Sequence, residues 1–323
     1  MATLTLTDSL TALERANRSA ENADARRIIE TLKETNEVLL DAPVAEANER
    51  TSNRTVQRSA LPTLSHRVYN QGVKNSASQT KTVNDVICEV AGYSEVDVKL
   101  IRESANPEEF LNSEITSFIE AMGQTQAEDI FYGSHKASVD NMDGFAIRRT
   151  GIDGKLCVNM GGSDATHNTS VYIVKWGMDK AHLIYPKGAA GLGCERKDMG
   201  ECTSEMSDGK KMQVYRNYFS ASYGLTLRNE KALVRLANIN TSTASGDDIV
   251  KAILKAYHQL AVGDGTIAVY ANADVLALID AATVDKSNVV YNAQDPWGQD
   301  VLKIRNGRLR QCDAILSTEA VLA

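Results

Sequence analysis

The stretch NPEEFLNSEITSFIEAMGQTQAEDIFY, residues 106–132, reads as one long helix and sets the frame for the rest of the chain. Pro107 stands at the first turn, where its missing N–H costs nothing, and Glu108 and Glu109 lie beside the positive end of the helix dipole. Leu111, Ile115, Phe118, Ile119 and Met122 recur at helical spacing and predict one apolar stripe. Run to Tyr132, such a helix is about 40 Å long at roughly 1.5 Å per residue, long for a compact domain.

The segments before and within this helix are electrically opposite. Residues 50–84 hold Arg50, Arg54, Arg58, Arg67, Lys74 and Lys81 and no acid, where the chain's average composition predicts about five. Residues 85–130 hold eleven acids, among them Glu95, Asp97, Glu103, Glu114, Glu120, Glu128 and Asp129, against Lys99 and Arg102 alone. The basic segment is polar, with short alternating runs and a Gln71-Gly72 turn signal, so a two-stranded excursion fits it better than a packed helix. An excursion too extended to fold back would meet the acids of a second copy. That makes Arg54, Arg58, Arg67, Lys74 and Lys81, with Glu108, Glu109, Glu114 and Glu120, the candidate subunit-interface residues. A solvated charged face is the plainer alternative.

Further out, residues 8–41 read as one or two amphipathic helices ended by Asp41-Ala42-Pro43. After Asp143-Gly144, short β-like runs are expected at Val171–Val174, His182–Tyr185, Lys211–Phe219 and Tyr223–Arg228, with Asp208-Gly209 turning a hairpin from Glu201–Met206. Gly246-Asp247-Asp248 caps a helix ending near Gly263, followed by a strand Thr266–Tyr270, a helix Ala273–Ala281, and strands around Val301–Ile304 and Ala314–Leu316. The class is α+β.

With 323 residues and 43% hydrophobic content, the chain can bury a sizeable core. Its net charge of −7 argues against a protein whose main task is to hold nucleic acid through its phosphates. The first residues carry charges every few positions and no apolar run, which predicts a product without signal or membrane span that stays in the cytoplasm. Five widely spaced cysteines form no CxxC pair and are expected reduced and mostly buried.

Chemistry is hard to find. Gly188-Ala-Ala-Gly191-Leu-Gly193 lacks the Lys-Ser/Thr of a phosphate loop, no HExxH or GxSxG spacing occurs, and Glu108-Glu109 and Asp247-Asp248 sit where helix starts favour acids anyway. No catalytic residue, metal ligand or cofactor is expected.

Several runs resemble major capsid proteins of tailed bacteriophages: residues 35–48 (TNEVLLDAPVAEAN), 58–67 (RSALPTLSHR), 69–73 (YNQGV), 130–133 (IFYG), 168–177 (NTSVYIVKWG), 185–188 (YPKG), and 224–228 (GLTLR) with 234–239 (VRLANI). They cover most of the chain in order. The resemblance implies a Hong Kong 97-type coat fold: an N-terminal arm over 1–49, an extended loop over 50–84, a peripheral domain with a spine helix over 85–150, an axial domain with hairpin insertions over 151–285, and returning C-terminal strands over 286–323. It also implies self-assembly in many copies, as pentamers and hexamers, into an icosahedral shell that encloses double-stranded DNA and expands from a procapsid. Scaffold, portal and decoration proteins are the further partners, and the virion is the location. Lys74 and Lys81 lie in the loop, but no acceptor can be placed, so no covalent cross-link is expected. An encapsulin-type compartment subunit is the alternative with the same fold.

Overall fold

The computed structural model describes residues 36–322, apart from Ala105, 190–193, 206–208, 285–292, 295–299 and Leu302. Of the helices expected over residues 8–41, only the short turn Val38–Asp41 falls among the described residues. The principal elements in chain order are β1 (Ser52–Ala60), β2 (Gln79–Asp97), α1 (Pro107–Tyr132), β3 (Asn168–Trp176), β4 (Ala181–Tyr185), β5 (Cys194–Glu205), β6 (Lys211–Leu227), β7 (Leu233–Asn240), α2 (Gly246–Tyr257), β8 (Thr266–Ala271), α3 (Ala273–Val284) and β9 (Gly307–Gln311). They fall into two compact units, one of residues 89–126 and 190–222, the other of 35–88, 127–189 and 223–323. The boundaries therefore lie inside β2, α1 and β6, and residues 190–222, expected as part of an axial domain, group with the long helix instead.

In the larger unit, β3 is central and buried along its whole length. It pairs antiparallel with β8 (Tyr270↔Tyr172) on one side and with β7 (Tyr172↔Arg235) on the other, while β9 lies parallel to β8. The short strand Cys157–Asn159 runs parallel to β7. β7 is a strand the sequence reading did not assign, because burial on both faces removes the alternation of a half-exposed strand, and Arg235 and Asn238 interrupt its apolar run. Ala314–Leu316, expected as a strand, forms turns, and the terminal strand is β9.

One layer of the core is aromatic: Phe131, Phe145, Tyr172, Trp176 and Tyr270 meet at centroid distances of 5.3–6.4 Å. The other is aliphatic, where Ile249 and Ile253 of α2 and Val275 and Ile279 of α3 pack with Val171, Ile173 and Val269 of the sheet. The N-cap of α2 is Ser245 and the helix stops at Tyr257, so Gly246 is no cap. A Cβ there would stand 2.1 Å from the Leu278 carbonyl, and only glycine permits that approach of α2 to α3.

In the smaller unit, β5 and β6 form the expected hairpin, from Glu205↔Lys211 back to Cys194↔Ala221. Gly209 has the positive φ of 79° that the turn requires, and Asp208 lies outside the described residues. The two runs expected at 211–219 and 223–228 are one strand of 17 residues, since nothing in Ser220-Ala221-Ser222 breaks the ladder. The face of α1 is narrower than expected: Ile115 is buried and Phe118 stacks on Phe219 at 5.3 Å, whereas Ile119 is exposed.

Candidate assembly surfaces and their anchors

The basic segment forms a hairpin arm. β1 and β2 pair from Ser52↔Val86 to Ala60↔Gln79, and residues 58–82 are all exposed. Between the strands, residues 61–78 have no regular structure beyond a turn at Asn70, whose φ is 66°. Its apolar side chains point nowhere within the chain: Leu64 is 90% exposed and Tyr69 94%, and Leu61 and Val68 are nearly as open. Charge counting missed these residues, although apolar positions scattered through a polar stretch without period were the available signal.

The root of this arm, by contrast, is fastened. Asn53 Nδ2 donates to Thr226 Oγ1 at 3.1 Å and Gln57 Nε2 to the Leu227 carbonyl at 2.7 Å. Arg148 donates to Asp85 Oδ1 at 2.8 Å and to the Leu225 carbonyl at 2.8 Å, with the Asp85 side chain almost fully buried. Farther along, Lys81 pairs with Glu230 of its own chain and holds that carboxyl below the usual range. Among the described residues the side chains of Arg54, Arg58, Arg67 and Lys74 have no ion-pair partner.

The acids of α1 differ among themselves. Glu108 and Glu109 are exposed, and Glu109 accepts from Asn106 Nδ2 at 3.0 Å. Glu120 accepts from Gln124 Nε2 at 3.2 Å, and Glu114 is buried. Glu108 and Glu109 are thus the open members of the expected set, and these acids belong to the smaller unit while the loop cations belong to the larger.

One buried ion pair and one half-buried cluster tie the two chain ends to the larger unit. The chain near its C-terminal end lies along β3 and β7, where Glu319 N donates to the Asn168 carbonyl at 2.8 Å and Leu322 N to Asn238 Oδ1 at 2.9 Å. The Glu319 carboxylate accepts from Arg235 at 2.8 Å, Tyr132 at 2.5 Å, Tyr172 at 3.3 Å and Ser170, with both charged side chains about 5% exposed or less. Burial first, and then the adjacent charge, raises both tyrosine hydroxyls well above their ordinary value, so they remain donors. Two strands away in the same cross-strand row, Arg310 of β9 grips Asp41 at 3.0 Å and Glu37 at 2.7 Å, which fixes the end of the N-terminal segment.

His182 on β4 is fully buried, and its Nδ1 has no partner. Burial, and next the Arg228 cation, pushes its imidazole down to about 4. A depressed histidine is neutral in the fold, so its contribution is complete above pH ~6.5 and is lost as pH falls from there toward 4. The parent should therefore lose about 2 kcal/mol more than a His182→Leu variant between pH 7 and 4.5. Equal pH dependence in paired thermal melts would refute this.

Cys88, Cys157 and Cys312 are buried as expected, but Cys194 is exposed and Cys202 half-exposed, because they lie on the open hairpin strand β5. Among the described residues no three His, Cys, Asp or Glu side chains converge as a metal site would require.

Comparison with known proteins agrees with this architecture. A family model described as major capsid protein GP7 matches residues 20–323. A chain from the near-atomic structure of bacteriophage Epsilon15 superposes with a TM-score of 0.74 and 25% identity, covering 100% of both chains. Lower similarity links a chain of the SrpI encapsulin complex from Synechococcus elongatus PCC 7942 (TM-score 0.49, 12% identity, 73% of this chain and 97% of that one) and one of Microbacterium phage Oxtober96 (0.46, 12%, 70% and 97%). No curated protein sequence matches. Matched over nearly its whole length, this chain belongs to the GP7 family of major capsid proteins, and is a phage capsid shell subunit with the Hong Kong 97-type fold.

Proposed function

We propose that the subunit builds its shell by lending the hairpin arm to a neighbouring copy, without catalysis or cofactor. Copies group as pentamers and hexamers into an icosahedral head, assembled in the host cytoplasm, which encloses double-stranded DNA without sequence-specific contact. Scaffold, portal and decoration proteins are its further partners. The observation that carries this reading is the contrast within the arm. A root held by four side-chain contacts supports a tip whose large apolar residues bury nothing in their own chain. The net charge of −7 fits a wall that releases its DNA.

On this reading Arg54, Arg58, Arg67 and Lys74 approach carboxylates of the next copy, with Glu108 and Glu109 as the open acids of the spine. A single exposed pair is worth about 0.2–1 kcal/mol, so single substitutions should do little. Reversal of Arg54, Arg58 and Arg67 together to glutamate should impair assembly or render particles sensitive to salt, since each pair recurs in every copy. Glu108→Lys with Glu109→Lys should partly restore them. Negative-stain microscopy and sedimentation of the purified chains read the result. Particles that form normally but fail to retain DNA would show that the arm faces the genome instead.

A further inference from the structure

A groove of about 610 Å³ runs along α2 beside the segment 154–160. Its floor is apolar, from Val158, Met160 and Ala252, and its rim is basic, from Lys155, Lys251 and Lys255. Among the described residues Lys155 and Lys255 have no ion-pair partner. Lys251 meets Asp248 at 3.0 Å, but that pair is open to solvent and readily exchanged.

The same unit carries a tip of the opposite character. Lys175 Nζ donates to the carbonyls of Ala261 at 3.0 Å and Gly263 at 2.5 Å, and Lys180 Nζ donates to that of Asp264. These bonds cinch the loop 261–265 onto the turn 177–180, and Gly263 and Gly265 supply the positive φ values of 100° and 142° that the loop needs. The held tip presents two apolar knobs, Val262 at 96% exposure and Met178 at 52%. Beside them stand two exposed acids, Asp264 and Asp179, the latter 3.8 Å from Arg228 with its side chain 94% open. A loop fastened in this way loses little freedom on docking.

We infer that the tip of one copy seats in the groove of the next, with Val262 and Met178 over the apolar floor and Asp179 and Asp264 against Lys155, Lys251 and Lys255. The tip's two acids are opposite in sign to the three lysines of the groove, and its two apolar knobs match an apolar floor. An apolar floor offers nothing to the phosphates of DNA, which favours a polypeptide occupant. Because knob and groove are different surfaces, the contact is head-to-tail, the kind that closes into rings when its rotation permits. Gln259 of the groove is only three residues from Val262 of the tip, so both halves of the contact belong to one stretch of the unit. The inference rests on the reading of the chain as a shell subunit and adds a contact separate from the hairpin arm.

The test is assembly of the full chain carrying Lys251→Glu and Lys255→Glu, followed by native mass spectrometry and electron microscopy, with a melting curve to show that the fold persists. Rings and particles should fall roughly tenfold or more, as like charges are brought together. Adding Asp179→Lys and Asp264→Lys should recover them. Since charge swaps can fail for local reasons, Val262→Asp alone provides a second arm and should also reduce rings. Parent-level assembly by the lysine variant and by Val262→Asp overturns the contact, and so does assembly lost but not recovered by the compensating pair in a chain that melts normally. Particles that form and lose only their DNA overturn it in favour of a genome contact. A parent chain that never oligomerises would instead bring down the shell reading itself.

Discussion

Leu64→Ala combined with Tyr69→Ala should give a chain that folds normally and forms no complete shells. Both side chains are at least 90% exposed, so truncation removes almost nothing from the subunit's own stability. In an assembled neighbour pair, each would bury on the order of 1.5–3 kcal/mol of apolar surface, several times the value of an exposed ion pair. The loss is repeated at every copy, so a modest change per contact becomes a failure of the whole lattice. Melting curves within a degree or two of the parent, together with sedimentation that stops at small oligomers, are the expected pair of results. Shells at parental yield would show that the apolar tip is not an anchor.

The second large effect lies in the interior. Glu319→Ala should destabilise the fold by about 3–5 kcal/mol, because it leaves the Arg235 guanidinium buried without its carboxylate. The change also removes the shared acceptor of Ser170 and of the Tyr132 and Tyr172 hydroxyls. At roughly 1.5 °C per kcal/mol for a chain of this size, the melting temperature should drop by about 4–7 °C. The double change Glu319→Leu with Arg235→Met removes both charges and should recover a substantial part of the loss. A single variant that melts like the parent would mean that the pair contributes nothing to closing the unit.

What could be read from the sequence depended on whether the signal was local. The helix 107–132 announced itself through proline, dipole-matched acids and period, and the turn at Gly209 through its dipeptide. The strand at Leu233–Asn240 did not, because burial on both faces erases alternation. Gly246 looked like part of a cap, yet its reason is the Leu278 carbonyl, more than thirty residues away in sequence. The same holds for the anchors. Arg235 with Glu319 and Arg148 with Asp85 are each separated by more than sixty residues, and no spacing rule connects them. Exposed charges were legible as a compositional excess, whereas the exposure of Leu64 and Tyr69 required knowing that their hairpin leaves the body of the unit.

The strand Cys194–Glu205 has a consequence for the subunit before it joins a shell. Among the described residues it pairs only with Lys211–Leu227, and its other edge has no strand partner there. A flat free edge is a template for any passing strand, and subunits that assemble in many copies meet one another often. This edge carries Glu195, Arg196, Lys197, Asp198, Glu201 and Glu205, and it is interrupted by a bulge between Asp198 and Gly200. Charge and bulge are the two devices that discourage indiscriminate strand addition. The waiting pool of subunits is thereby steered away from amorphous clumping, and remains available for ordered growth.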